Sequence, residues 1–387
     1  MGKNVEQTGK KDIAGFIEER NGVFTTLSDA IWDEPETAFA ETNAASALSR
    51  ALETFGFSVE RGIGGLSTAF CGTFSTGGGP VVGFLGEYDA LFNMSQKPGA
   101  TKKEEIVSGG CGHGCGHNLL GVASLAAAAA VVEFMKKSGK GGTVKYFGCP
   151  GEEGGSGKAF MAKEGVFDGL DAAITWHPSP INSVVHLGTL ANYQVLYKFK
   201  GVSAHAAGAP HLGRSALDAA ELMNVGVNFL REHVPSDARF HYAITNSGGR
   251  SPNVVQAEAG VLYLIRAPKL EGVEDIYRRI NKIAQGAAMM TETEVEIVFV
   301  KACANVIPNN AISECLYENL KAVGLPRYTE EELRLARGIR ESLPHLSQDL
   351  ETFSNLSGRA LAEEIALLKD KVLCDKVVTY DPGLPER

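Results

Sequence analysis

The spacing of apolar residues along this chain changes near residue 190, and the change predicts two kinds of domain. In the first part, short apolar runs bounded by turn residues predict buried strands. These runs cover residues 81–85, 143–149 and 172–176. Helical periodicity surrounds them, most clearly at residues 42–55 and in the Ala-rich stretch after His117. Strands that alternate with helices are typical of an α/β domain, so we expect a largely parallel sheet.

Beyond residue 190 the predicted elements follow the order β-α-β-β-α-β, which is the ferredoxin-like arrangement of a small independent domain. They cover residues 193–199, 214–231, 241–246, 260–266, 273–287 and 294–300. We therefore predict a first domain at 1–189, an inserted domain at 190–306 and a return to the first domain at 307–387. A capping box at Thr329 and Glu332 predicts a further helix in that last part.

Composition narrows the possible partners. The chain has 37 basic and 46 acidic residues, a net charge of −9, which argues against nucleic acid or an anionic membrane. Its longest apolar run, residues 119–134, is shorter than the roughly 20 residues that a membrane span needs, so it predicts a buried helix. Seven cysteines without a disulfide-like spacing favour a reducing, cytoplasmic location.

Cys115 and His117 are the first candidates for chemistry, because a thiol and an imidazole lie two residues apart across a glycine. On extended or irregular backbone, side chains at i and i+2 share a face, so both could reach one metal ion. The helix predicted to follow would favour the thiolate through its N-terminal dipole. The alternative is a glycine-rich turn whose polar residues bind nothing. A zinc knuckle formed by Cys111 and Cys115 lacks a second pair of suitable spacing.

Glu152 and Glu153 follow the strand predicted at 143–149. Neighbouring carboxylates on an extended chain do not share a face, so the natural division is one metal ligand and one general base. The alternative is an acidic surface loop. His177, at the end of the third predicted strand, and His205 are single histidines that could equally be structural, and so could Asp89 and Glu87.

Two interpretations of the chain as a nucleotide-binding protein are excluded, because required residues are missing from their motifs. Gly157-Lys158 resembles part of a phosphate-binding loop, but Ala159 stands where a serine or threonine is required. No Gly-x-Gly-x-x-Gly follows a predicted strand with an acidic residue downstream, which argues against an oxidoreductase.

Taken together, these motifs resemble the M20 metallopeptidase family, in the branch of aminoacylases, hippurate and auxin-conjugate hydrolases and hydrolases of p-aminobenzoyl-glutamate. The matching segments occur in the family's order. They are residues 86–91, 113–121, 150–155, 176–178, 201–211 and 251–255, together with Arg266. The resemblance implies a di-metal hydrolase catalytic domain with an inserted ferredoxin-like domain that acts as a lid and dimerises.

The resemblance also implies roles for individual residues. Two divalent ions, manganese or zinc, would be bound by Cys115, His117, Glu153 and His177. Glu152 would be the general base, and Asp89 would orient a ligand. From the lid, His205 would polarise the scissile carbonyl, while Asn253 and Arg250 would hold the substrate. The implied reaction is hydrolysis of the amide bond of N-acyl or N-aroyl amino acids, with p-aminobenzoyl-glutamate-like conjugates favoured.

One departure from the family matters. The family takes its last metal ligand, a histidine, from a segment after the lid, and the only histidine there is His345, which does not match that motif. We therefore expect the chain to be short relative to the family and to hold its second ion poorly. Two alternatives stay open: a non-catalytic metal- or ligand-binding subunit with a related partner chain, and an aminoacylase acting on N-acetyl amino acids.

Overall fold

The computed structural model describes residues 2–184, 186, 188–343, 359–366, 368 and 371–378. The described residues form two compact units. The first holds those within Met1–Asn182, Leu325–Thr352 and Leu367–Lys376, and the second those within Ser183–Gly324, Phe353–Ala366 and Val377–Arg387. The division into domains at 1–189, 190–306 and 307–387 stays a prediction. His345 lies outside the described residues.

The first unit contains the helices and strands on which the predicted metal ligands lie. In chain order they are α1 (Gly2–Glu19), α2 (Asn21–Asp33), α3 (Thr42–Thr54), β1 (Ser58–Arg61), β2 (Phe70–Gly77), β3 (Val81–Gly86), α4 (His117–Ser138), β4 (Gly142–Gly148), α5 (Gly157–Lys163) and β5 (Ala172–Ile174). The three strands and the helices predicted here are present, with ends that differ by a few residues.

The sheet of the first unit is mixed, in the order β1-β2-β4-β3-β5. Strands β3, β4 and β5 pair in parallel, whereas β1 pairs with β2 and β2 with β4 in antiparallel fashion. The expectation of a largely parallel sheet is therefore wrong for half of the pairings. The sequence pattern does not reveal the antiparallel strands, because β1 is short and polar and β2 loses its apolar character at Ser75–Gly77, where it is exposed.

Helix α4 is the central helix of this unit. Among the described residues it is the one helix long and apolar enough to cross a membrane, but 67% of its most apolar window is buried. The prediction of a buried helix is thus confirmed. Gly121 permits its close approach to the sheet, because a Cβ at this position would lie 2.7 Å from the carbonyl oxygen of Glu87. The start of α4 is thereby held against the end of β3.

The second unit is built on a four-stranded antiparallel sheet in the order β7-β8-β6-β9. Its elements are β6 (Ala191–Lys200), α6 (Ala216–Leu230), β7 (Arg239–Asn246), β8 (Glu258–Ala267), α7 (Leu270–Thr291), β9 (Glu294–Cys303) and α8 (Asn310–Val323). Buried residues from α6 and α7 pack with those of the sheet into one apolar core. The β-α-β-β-α-β order therefore appears in the structure as the sequence pattern has it.

Two further helices follow, α9 (Glu330–Ser342) in the first unit and α10 (Arg359–Ala366) in the second. The predicted capping box at the start of α9 is present, since Thr329 and Glu332 each accept a hydrogen bond from the other's backbone.

Candidate active site

The candidate site lies in the first unit, at the carboxyl ends of its parallel strands. Glu87 and Asp89 follow β3, Glu152 and Glu153 follow β4, and His177 follows β5. Carboxyl ends of parallel strands meet at one edge of a sheet, where open α/β proteins bind their ligands. The N-terminus of α4, which begins at His117, reaches the same edge.

His117 is completely buried, and only one of its two ring nitrogens has a hydrogen-bond partner among the described residues. Nδ1 lies 2.9 Å from Oδ1 of Asp89. Because an ionised carboxylate can only accept, Nδ1 carries a hydrogen, and in the neutral imidazole Nε2 is left with a lone pair. Nε2 makes no hydrogen bond within the described part of the chain. Burial lowers the pKa of His117, but the hydrogen bond to Asp89 and the charge of Glu87 outweigh it and the pKa is raised.

Cys115 and His177 complete a group with His117 in which one donor atom of each lies within 4.8 Å of the others. Sγ of Cys115 is 3.3 Å from Nε2 of His177, whose Nδ1 donates to the carbonyl of Pro178 at 2.8 Å. Both imidazoles are therefore oriented with Nδ1 bound and Nε2 available, as in metal-ligating histidines.

Glu153 lies beside this group. Its backbone N–H donates to Oδ2 of Asp89 at 2.8 Å, and its carboxylate contacts the Cys115 thiol. Burial, with the charge of Glu153 adding to it, raises the pKa of Cys115 to about 12. The cysteine is thus a neutral thiol in the absence of a cation, and a bound divalent ion would favour the thiolate.

Glu152 belongs to a second group of possible metal ligands. A carboxylate oxygen of Glu152, one of Glu87 and a ring nitrogen of His117 lie within 4.8 Å of one another. Burial and the neighbouring charge of Glu87 raise the pKa of Glu152. A carboxylate with a raised pKa is a better general base near neutral pH.

Two residues of this region have no role in the sequence-based prediction. Glu87 is buried, and its Oε1 is paired with the ammonium of Lys158 on α5. By sequence Glu87 is ambiguous, and Lys158 belongs only to a failed phosphate-loop match. Their pairing joins residues 71 positions apart, and no local pattern announces it.

A third residue without a sequence-based role, Glu41, supports the turn that carries Glu152. Its Oε1 accepts from the backbone N–H groups of Gly151 at 2.7 Å and Phe39 at 2.9 Å, and its Oε2 accepts from Thr68 at 3.0 Å. Gly151 has a φ of +61°, and a Cβ there would lie 2.6 Å from the Phe39 ring. Phe39 itself has a φ of 63°, which a bulky residue adopts only where its surroundings enforce it.

His205 and Asn253, predicted to contact substrate, lie on neighbouring exposed loops of the second unit. The backbone N–H of Ala206 donates to the carbonyl of Asn253 at 3.0 Å. Nδ1 of His205 accepts from the N–H groups of Ala207 and Gly208 at 3.2 and 3.0 Å, so Nε2 carries the hydrogen. His205 is therefore arranged as a donor. Arg250 is exposed on the loop after β7.

The residues of the first unit fit a divalent transition metal. A buried imidazole nitrogen and a buried carboxylate oxygen, on His117 and Glu87, lie 3.1 Å apart and are not aligned for a hydrogen bond. Buried polar atoms normally have partners, and a cation would serve both. Sulfur and imidazole donors favour zinc or a similar ion over magnesium or calcium.

Comparison with known proteins identifies the family. The profile of the family described as Peptidase family M20/M25/M40 matches residues 83–338, about two thirds of the chain. The chain belongs to this family. It is accordingly a hydrolytic enzyme of the metallopeptidase type.

Individual relatives extend the match. The chain is 53% identical to one of the p-aminobenzoyl-glutamate hydrolase subunits of Escherichia coli, over 84% of this chain and 68% of that protein. It is 31% identical to the Xaa-Arg dipeptidase of Mus musculus, over 83% of this chain and 73% of that protein. The crystal structure of an aminobenzoyl-glutamate utilization protein from Klebsiella pneumoniae shares the fold, with a TM-score of 0.63, 20% identity and coverage of 85% and 91%.

Proposed function

We propose that this M20 family member hydrolyses the amide bond of N-acyl or N-aroyl amino acids, with p-aminobenzoyl-glutamate-like conjugates as the favoured substrates. The observation that carries the proposal is the group of Cys115, His117 and His177 with Glu152 beside it. The 53% identity to a relative named for p-aminobenzoyl-glutamate supports the substrate class.

Cys115, His117, Glu153 and His177 are proposed to hold two divalent ions, manganese or zinc. When bound, such ions polarise a carbonyl and lower the pKa of a nearby water toward about 7. Asp89 fixes the His117 ring by accepting from its Nδ1, and it holds the Glu153 turn through the backbone N–H. One carboxylate thereby orients two of the proposed ligands.

Glu152 is proposed to take a proton from the attacking water and to deliver it to the leaving amine. Its raised pKa suits both steps, because the group must accept and then release the proton near neutral pH. Without this transfer the amine would leave as an anion, which is far less favourable.

On the second unit, His205 is proposed to donate its Nε2 hydrogen to the carbonyl oxygen, on which negative charge develops. Its fixed Nδ1 supports this assignment. Asn253, on the adjacent loop, and Arg250 are proposed to bind the carboxylate end of the substrate. These roles make the second unit a lid.

The second unit is also proposed to form a homodimer with a second copy of this chain. Strand β7 is at the edge of its sheet and exposes Tyr242 and Ile244, and α6 exposes Val225 and Phe229, the latter 72% accessible. An edge strand that exposes apolar side chains favours strand pairing. A related partner chain is the alternative, since the name of the Escherichia coli relative describes one subunit of a hydrolase. A cytoplasmic location stays part of the proposal.

The test is hydrolysis of p-aminobenzoyl-glutamate by the metal-loaded chain, measured by the release of p-aminobenzoate. Glu152→Ala is the variant expected to be inactive. Glu164→Gln, an exposed glutamate at the end of α5, is the matched control and should keep full activity. Hippurate and N-acetyl amino acids are assayed in parallel, and a preference for the latter would favour an aminoacylase.

Metal content decides the non-catalytic alternative. Close to two ions per chain is expected of the enzyme, and close to none of a non-catalytic chain that binds only a ligand; a non-catalytic chain that does bind metal is recognised by its inertness in the assays above. If the metal-loaded chain and Glu152→Ala are equally inert on all three substrates, the proposed function is wrong. Light scattering of the wild type and of Phe229→Glu tests the dimer, which the charged residue should dissociate.

A further inference from the structure

The carboxylate of Glu87 is buried close to the proposed metal ligands but has no role in the proposed function. It is 6% exposed, its Oε1 is paired with Lys158, and its Oε2 has no hydrogen-bond partner in the part of the chain that the structure describes. That oxygen lies 3.1 Å from Nε2 of His117, which is likewise without a partner there and completely buried. Two buried atoms that could each bind a metal ion, and that lack a hydrogen-bond partner among the described residues, thus lie next to one another.

A direct interaction between His117 and Glu87 does not account for the short distance between Nε2 and Oε2. The hydrogen of a neutral His117 is on Nδ1, where it is donated to Asp89, so Nε2 and Oε2 would present lone pairs to each other. Three carboxylates, of Glu87, Asp89 and Glu152, lie close to the His117 ring, and the ammonium of Lys158 offsets only part of their charge. A cation between the two atoms would relieve the repulsion.

The separation also has the right size. Zinc binds imidazole nitrogen and carboxylate oxygen at about 2.0–2.2 Å, so two such ligands at tetrahedral or right angles lie roughly 2.8–3.6 Å apart. The 3.1 Å between Nε2 and Oε2 falls in that range. The 3.3 Å between Cys115 and His177 is similarly compatible with ligands of one ion.

We propose that Glu87 is a further metal ligand, which shares the ion bound by His117, and that Lys158 is a positioning residue that holds its second oxygen. This inference rests on the metal site of the proposed function. It assigns the buried carboxylate after β3 a role in metal binding, distinct from that of Asp89, which acts through the His117 ring.

The experiment measures metal binding directly and needs no substrate. Zn²⁺ affinity is determined by competition with a chelator, and the Co²⁺-loaded protein is examined by absorption spectroscopy, which reports the ligands around the ion. Glu87→Gln keeps the size of the side chain and should weaken Zn²⁺ binding at least about tenfold and change the Co²⁺ spectrum, as loss of a ligand or its partner does. Glu164→Gln is the matched control and should match the wild type.

Lys158→Met tests the positioning role. Removal of a cation beside a metal would by itself strengthen metal binding, whereas loss of positioning weakens binding and alters the Co²⁺ spectrum. We expect the weaker binding, recovery in Lys158→Arg, and no change in Lys163→Met on the same helix. If Glu87→Gln does not fold, the Lys158 variants still decide the proposal.

Wild-type Zn²⁺ affinity and an unchanged Co²⁺ spectrum in Glu87→Gln would overturn the ligand role and leave Glu87 as a structural partner of His117. Tighter binding by Lys158→Met with an unchanged spectrum would overturn the positioning role. Neither result bears on whether the wild type hydrolyses the amide substrates. The proposed function and the proposed role of Glu87 can therefore fail independently.

Discussion

The two compact units solve the burial of polar groups in opposite ways. The first buries Glu41, Glu87, Asp89 and His117, all ionisable, near the carboxyl ends of its parallel strands. In the second, the buried polar groups named by their partners are paired with neutral ones: the hydroxyl of Tyr263 donates to Asn224 at 2.6 Å, and the ring of His186 is 2.9 Å from the hydroxyl of Ser313. Ionised groups are costly to bury, whereas a neutral pair with matched hydrogen bonds is tolerated.

The difference shows where each unit places its function. In the first unit, buried ionisable groups with atoms that lack partners among the described residues mark the place where the proposed metal would serve them. In the second unit, the hydroxyls of Tyr197 and Tyr263 have partners, and the residues proposed to act on substrate, His205 and Asn253, are exposed on loops. Changes in the first unit should therefore alter chemistry, and changes in the core of the second should alter stability.

The largest expected effect is that of Glu152→Gln. Loss of the general base should lower kcat by about 10²- to 10⁴-fold, or roughly 3–5 kcal/mol, while the metal content stays that of the wild type. Steady-state kinetics with metal analysis of the same sample measure both. A variant with normal kcat would remove Glu152 from the chemistry.

Asp89→Asn should have the next largest effect. The amide can no longer fix the hydrogen on Nδ1 of His117 as a carboxylate does, so we expect metal affinity to fall by about 10- to 100-fold. Chelator competition measures the affinity. Unchanged binding would mean that the ring of His117 is held by its packing alone.

Tyr263→Phe tests the core of the second unit. Its hydroxyl is the partner of the buried Asn224, so its removal should lower the free energy of unfolding by about 1–3 kcal/mol and leave metal affinity unchanged. Denaturant unfolding and chelator competition are the measurements, with Tyr242→Phe, exposed on β7, as the control. A change in metal affinity would contradict the separation of roles between the units.

The smallest expected effect concerns the pH dependence of stability through Glu41. Burial raises the pKa of Glu41, although the N–H groups of Phe39 and Gly151 and the Thr68 hydroxyl oppose it. A carboxyl whose pKa is higher in the folded state stabilises the fold fully below its unfolded pKa, and this contribution is lost as the pH rises through the folded value.

Wild type should therefore lose stability relative to Glu41→Gln between acidic and neutral pH. Thermal unfolding of both proteins across that range provides the measurement. A constant difference between them would show that the carboxyl titrates alike in the folded and unfolded chain.

Most elements of the fold could be predicted from the sequence, because the apolar runs of β3 and β4 and the helical periodicity of α3 and α4 are local signals. The antiparallel strands β1 and β2 could not, since they are stabilised by the pairing of β1 with β2 and of β2 with β4 and by packing under α3 rather than by their own composition. Their absence from the prediction is why the sheet was expected to be largely parallel.

By itself the sequence determined the family. It also predicted the site, with Cys115, His117, Glu153 and His177 as metal ligands and Glu152 as the general base, because these residues follow motifs whose order is specific. Only the tertiary structure decided which atoms of these groups are free, because the state of an imidazole depends on the partner its other nitrogen finds. It also decided that Glu87 meets both His117 and Lys158 and that Glu41 supports Gly151, contacts that join residues far apart in the chain. Local patterns cannot encode such meetings, since they arise when separate strand ends are brought to one edge of a sheet.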